Sequence, residues 1–278
     1  MKKGKIVWII ILIISIIAFL VSGYFIYKHV FTDETKTDIG GRKAGSKVET
    51  KAPTDENGDV IPTEPPTEHR YKDMVAPLPE ESSVDFAALY KTNKDIYSWI
   101  YIPNTNVDYA VAQSAPGISD AFYLNHDVYK NYKFAGTIYS EKQNKLDYSD
   151  PVTLLYGHNM LNGSMFATLH KFNDKKFFDK NKTMFIFTED KIYTYLIYAA
   201  YQYDSRHILN SFDMSNPDSL KEYQDSTLLE RPYYCNIRKN ITLDENDRIV
   251  TLSTCMNGGG SNVRYLVQGV LVNEQPAV

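Results

Sequence analysis

Cysteine is nearly absent, at 2 in 278 residues, too few for a disulfide-built scaffold or a Cys-rich zinc or iron–sulfur module. An excess of positive charge is absent too. With 30 Lys+Arg against 34 Asp+Glu the formal net charge is -4, which leaves no basic footprint and argues against nucleic acid as a partner. No HExxH and no paired Cys/His spacing occur, so neither a metal nor another cofactor is expected. There is no internal repeat. Between Thr32 and Arg70 the chain has no Phe, Trp, Tyr, Leu or Met, and half of its 12 prolines stand at Pro53, Pro62, Pro65, Pro66, Pro77 and Pro79. Such a stretch cannot bury enough apolar surface to offset its ordering entropy. Residues 28–81 are therefore expected to form a tether, with an r.m.s. span of roughly 40 Å for about 50 flexible residues.

Long apolar runs are present, but in one place. Ile6 to Tyr27 carries no charged side chain and is dominated by Ile, Leu, Val and Phe. As a helix it spans roughly 33 Å, enough for a hydrocarbon core of about 30 Å. Lys2, Lys3 and Lys5 precede it, whereas Lys28 alone follows before Asp33 and Glu34. The positive-inside rule then makes residues 1–5 a cytoplasmic tail, residues 6–27 a single transmembrane anchor in the lipid bilayer, and the remainder extracellular. A cleaved signal peptide is the rival reading. Its apolar region usually runs about 7–15 residues and ends in a small-x-small site, for which Ser22-Gly23 is a weak candidate.

Residues 82–278 have the composition of a folded domain. Val84, Phe86, Ala87, Leu89 and Tyr90 have helical spacing, with Ser82 or Ser83 as the expected N-cap. Eight β-rich runs follow: 97–102, 107–111, 136–139, 152–156, 183–187, 192–203, 248–254 and 263–272. Turn signals such as Pro103-Asn104, Pro116-Gly117, Asp150-Pro151 and Glu189-Asp190 separate them. Helical insertions are expected over residues 164–172 and within 216–229, where Pro217 suits a first helical turn. The expected fold is mainly β with peripheral helices: a closed or nearly closed barrel, since closure removes exposed strand edges.

Two strand ends carry chemistry. Cys255 terminates Ile249-Val250-Thr251-Leu252-Ser253-Thr254 and precedes a loop containing Gly258-Gly259-Gly260; His158 follows Val152-Thr153-Leu154-Leu155-Tyr156-Gly157. Taken singly, a cysteine is more often inert packing and a histidine more often structural. Together with Arg264, nine residues past Cys255, they supply what acyl transfer needs. A thiol reacts as its thiolate and needs a cationic neighbour or a base to act near neutral pH, and the developing oxyanion needs a donor.

Thr251-Leu252-Ser253-Thr254-Cys255, with Arg264 on the next strand, resembles the signature of sortases, the surface transpeptidases of Gram-positive bacteria. The resemblance covers most of residues 84–272. It includes Trp99-Ile100-Tyr101-Ile102-Pro103-Asn104-Thr105, Tyr123-Leu124-Asn125-His126-Asp127, Tyr156-Gly157-His158-Asn159-Met160 and Gly163-Ser164-Met165-Phe166. The long insert between Tyr203 and the Asp247 strand, with its helix, is similar to class B. The resemblance implies a closed eight-stranded sortase-type barrel with an N-terminal helix and a helix in the insert before the cysteine-bearing strand. It further implies that Cys255 attacks the carbonyl of a Thr in a sorting-motif peptide of a secreted surface protein. His158 would be the general acid/base and Arg264 the residue that stabilises the oxyanion or aligns the peptide. Ser253 and Leu124 fall where class B relatives contact substrate. The thioester would pass to an amine of a peptidoglycan precursor or of a pilin. Some class B members have an acidic residue directly after the cysteine; Met256 stands here, so no third catalytic carboxylate is assigned.

Two other functions fit the same residues: a thiol peptidase that passes the acyl group to water, and a non-catalytic peptide-binding module. The remaining candidates take plain readings. Cys235 is a packed or semi-exposed free thiol, since pairing with Cys255 would consume the nucleophile. His126 and His170 are structural or surface residues, and His69 and His207 belong to the tether and the insert. Asp127 orients His126, shapes the pocket, or is purely structural. Tyr193, Tyr195, Tyr198, Tyr201 and Tyr203 are barrel wall, and Trp99 is core.

Overall fold

A computed structural model describes residues 3–31, 43–44, 70–78, 82–256 and 262–277. The apolar run near the N-terminus forms one continuous helix, α1 (Lys3–Phe31). Among the described residues it is the one helix long and apolar enough to cross a membrane, and its Trp8–Phe25 stretch is buried by nothing in the protein. Anchors and signal sequences share that character.

All eight expected runs are strands: β1 (Ile96–Tyr101), β2 (Asp108–Gln113), β3 (Ile138–Ser140), β4 (Val152–Tyr156), β5 (Thr183–Phe187), β6 (Lys191–Asp204), β8 (Ile249–Cys255) and β9 (Val263–Pro276), with a short additional strand, β7 (Cys235–Ile237), before β8. Eight of the nine close into a ring in the order β9-β8-β4-β3-β2-β1-β5-β6, and β6 pairs back onto β9. The pairs β2–β3 and β4–β8 are parallel and the rest antiparallel. The 14-residue β6 makes closure possible. One of its edges pairs along its length with β9, while the other serves β5 at residues 192–196 and β7 at residues 199–201.

Alternation along each strand sorts side chains to two faces. Leu155, Val250, Leu252 and Val267 point into the barrel with Ile100, Val111 and Ile138. Val152, Leu154, Ile249 and Leu266 lie in a second cluster outside it. The insert covers that outer face. Its one-turn helix α4 (Ile208–Ser211) is followed by the longer α5 (Pro217–Thr227). The latter starts at Asn216, whose side chain accepts from Ser219 N at 3.0 Å, with Pro217 in the first turn. Leu220, Tyr223, Gln224 and Thr227 recur at the i, i+3, i+4, i+7 spacing of one helix face and are all buried. Below them Gln268 Nε2 donates to Tyr223 Oη (2.7 Å) and Thr251 Oγ1 (3.0 Å), and Tyr198 Oη donates to Gln268 Oε1 (3.1 Å). This polar knot fixes helix, β6, β8 and β9 in one register. The five tyrosines from Tyr193 to Tyr203 contribute to the barrel and its outer wall, and Trp99 is buried with its indole N–H on Asp108 Oδ1 (2.7 Å).

Three local expectations change. Helix α2 (Phe86–Thr92) is capped by Asp85, which accepts from Ala88 N at 2.9 Å, and not by a serine; Ser82–Ser83 instead pairs with Lys43–Ala44. The first insertion is a 3-10 segment (Ala167–Asn173) that runs into α3 (Lys175–Lys180). Part of the expected tether rests on the domain. Tyr71, Met74 and Val75 pack against the outer cluster, Arg70 pairs with Asp244 at 2.9 Å, and Ala76 N donates to Thr183 Oγ1 at 2.8 Å. Of the rest of that segment, only residues 28–31, 43–44 and 77–78 are among the described residues.

Candidate active site

Strands β4 and β8 run parallel, with Ser253 opposite Tyr156 as the last paired position. Two residues further along each strand stand Cys255 and His158. Parallel strands lie about 4.8 Å apart, so the register alone brings thiol and imidazole to the same end of the barrel. On its other side Cys255 is the direct partner of Arg264 in the antiparallel β8–β9 ladder, and opposed residues project to the same face. Three adjacent strands thus present His158, Cys255 and Arg264 in that order, with the thiol in the middle.

The His158 side chain is aimed by its local contacts. Strand β4 gives way to Gly157, where an added Cβ would come within 2.7 Å of Phe166 Cδ2; only glycine allows Phe166 to pack this close. Phe166 N in turn donates to His158 O at 2.9 Å. The His158 ring stacks on Phe134 (centroids 5.1 Å apart, interplanar angle 24°), and its Nε2 is 2.9 Å from Leu124 O. A carbonyl only accepts, so in the neutral ring Nε2 carries the proton and Nδ1 the lone pair. Burial pushes the His158 imidazole pKa down, and the Leu124 carbonyl partly opposes this. Cys255 is exposed whereas Ile249 through Thr254 are buried.

The three residues line one cleft of about 330 Å³ together with Leu124, Tyr156, Glu141, His207 and Ser253. Ser253 and Leu124 therefore share the cavity with Cys255. His126 and Asp127 do not: His126 stacks on Phe122, and Asp127 Oδ1 accepts from Tyr129 N (2.9 Å) and Asn131 N (3.0 Å), which makes it a turn residue. The contacts that bring several further residues to the site carried no sequence signal. The Glu141 carboxylate is in close contact with His207 Nε2, so the insert contributes to the cleft. Tyr139 and Tyr156 stack at 5.3 Å. Burial drives both phenols well up, Glu141 adds to this, and Arg264 pulls them back, so both stay neutral. Asn159 and His170 both donate to the carbonyl of Cys255. Cys235, half-buried in β7, and Cys255 are both free thiols.

A family model described as the sortase domain matches residues 100–272. The chain belongs to the sortase family. Within it the chain is of class B and is a cysteine transpeptidase of the cell-wall sorting type. It is 32% identical to sortase B of Listeria monocytogenes over 188 residues, covering 67% of this chain and 73% of that one. The Clostridium perfringens sortase B crystal structure superimposes with a TM-score of 0.60 at 31% identity, over 68% of this chain and 100% of the other. The substrate complex of Staphylococcus aureus sortase B gives a TM-score of 0.58 at 27% identity, over 68% and 84%.

Proposed function

We propose that this sortase cleaves a sorting-motif peptide of a secreted surface protein after a threonine, holds the acyl fragment on Cys255, and transfers it to an amine of a peptidoglycan precursor or a pilin. The observation that carries the reading is the three-strand alignment of His158, Cys255 and Arg264 around one cleft. A relative crystallised as a substrate complex supports a peptide as the ligand.

In the first step the Cys255 thiol passes its proton to the lone pair of His158 Nδ1, and the thiolate Sγ bonds to the threonine carbonyl carbon, whose oxygen takes the electron pair and is met by the Arg264 guanidinium. The intermediate collapses, the C–N bond breaks, and His158 gives the leaving amine its proton. Nε2 is committed to Leu124 O, which leaves Nδ1 to exchange that proton. In the second step the incoming amine bonds to the thioester carbonyl, His158 takes its proton, and the Cys255 thiolate departs. Ser253 and Leu124 hold the peptide along the cleft. Helix α1 anchors the enzyme as a single-pass membrane protein with Lys2, Lys3 and Lys5 in the cytoplasm, so that the barrel faces the cell wall.

The test is incubation with a library of sorting peptides, with and without amine acceptors, read by mass spectrometry. The proposal expects peptide cleavage at threonine and a ligated product that appears only with the amine. Hydrolysis alone in both conditions would make the enzyme a peptidase, and binding without cleavage would leave a recognition module.

A further inference from the structure

The peptide unit after Cys255 is gripped from both sides. Toward β9, Met256 N donates to Val263 O at 3.3 Å. Toward β4, which ends at Tyr156, the last backbone rung is Gly157 N to Ser253 O at 3.2 Å, and the Cys255 carbonyl occupies the position of the next. Two side chains meet the orphaned oxygen instead: Asn159 Nδ2 at 3.0 Å and His170 Nε2 at 2.9 Å. One donor would satisfy a strand-end carbonyl. Here two arrive from separate segments, and both are themselves anchored. The Asn159 backbone bridges to Met165, and the His170 ring stacks on Tyr265 at 4.8 Å and 27°. Neither residue lines the cleft.

We propose that His170 and Asn159 are positioning residues for the nucleophile. By clamping the Cys255 carbonyl they fix the peptide plane and therefore the direction in which Sγ leaves the backbone. Because Asn159 adjoins His158, its bond also sets the spacing between the two strand ends. The clamp rests on the reading of Cys255 as nucleophile given above. Its energetic reason is that a misplacement of about 1 Å in a reacting group can cost about 10²-fold in rate.

The experiment uses the full chain in detergent and three substitutions. His170→Phe keeps a ring over Tyr265 but has no donor, His170→Gln restores an N–H of similar reach, and Asn159→Asp keeps shape but replaces the donor by an acceptor. Single-turnover acylation by a sorting peptide, KM, melting temperature and the iodoacetamide alkylation rate of Cys255 are measured together. His170→Phe and Asn159→Asp should each lower acylation about tenfold or more with KM within about twofold of wild type. His170→Gln should recover most of the loss. Alkylation, which needs no aligned partner, should be unchanged in all three. Wild-type acylation in His170→Phe and Asn159→Asp would overturn the clamp, as would a loss that follows melting temperature and is not rescued by glutamine. Cys255→Ala is run alongside: turnover by that variant would overturn the nucleophile itself, whereas a dead Cys255→Ala beside fully active clamp variants would overturn the clamp alone.

Discussion

The root and the mouth of β8 lie a few residues apart and are held in different ways. At the root, Val250 and Leu252 are packed inside the barrel, Ile249 lies under the insert, and Thr251 belongs to the Gln268–Tyr223 knot. At the mouth, Cys255 is exposed between His158 and Arg264, and a few hydrogen bonds and ring stacks hold the surrounding groups. The contrast teaches that stability and chemistry are separated along the same strands. Burial of a large apolar side chain contributes about 1.5–3 kcal/mol, and within β8 that burial falls on Ile249, Val250 and Leu252, short of the exposed Cys255. The exposed Cys255 thiol adds little of that burial.

Substitutions should respect that division. The largest effect is expected at Cys255→Ala, which should abolish cleavage and leave the melting temperature near wild type, while Cys235→Ala should do neither; steady-state turnover and thermal denaturation of both variants check this. Next comes Arg264→Lys, since an ammonium lacks the planar fork of guanidinium donors. Both Arg264→Lys and Arg264→Ala should lose roughly 10²–10³ in kcat/KM, the scale of one oxyanion donor. A raised KM with normal kcat would reassign Arg264 to peptide binding.

At the root the pattern should invert. Leu220→Ala in α5 opens a cavity over the outer cluster and should cost about 2–5 kcal/mol by denaturant titration, with kcat per folded molecule unchanged. A matching loss of kcat would show that the insert and the mouth are coupled.

The smallest effect is a pH dependence of stability. Burial holds the His158 and His170 pKa values below the ordinary imidazole value. The unfolded chain therefore binds more protons in the window beneath about pH 6.5, and stability rises with pH through it. Denaturant titrations from about pH 5 to 7 should show that rise, with a shallower slope in His158→Gln. An identical slope would mean that His158 does not contribute.

How much of this was legible in the sequence depends on the range of the interaction that decides each element. The eight strands were readable because period-two patterning and turn residues are local, and so was α5 with Asn216 and Pro217 at its start. The cap of α2 was misplaced because Asp85, Ser82 and Ser83 are all good caps and only packing chooses among them. Strand β7 has three residues, too few to show a period, and forms because β6 offers an edge. Residues 70–78 look like linker since Tyr71, Met74 and Val75 are scattered among polar residues and prolines; their contacts are with the distant outer cluster. Cys255, His158 and Arg264 were legible as strand-end residues of the right chemistry. His170 was not, because nothing in residues 167–173 reveals that its partner is the carbonyl of a residue 85 positions away. Glu141 and His207, 66 positions apart, were hidden for the same reason.

Whether Cys255 at the mouth carries the acyl group is decided by peptide mapping of the trapped intermediate. The enzyme is mixed with a sorting peptide in the absence of amine, quenched with acid within the first turnover, digested and analysed by mass spectrometry. The expected result is an acyl adduct on the peptide containing Cys255, absent from Cys255→Ala and retained in Cys235→Ala. An adduct on Cys235, or cleavage with no adduct on Cys255 at any time point, would contradict it.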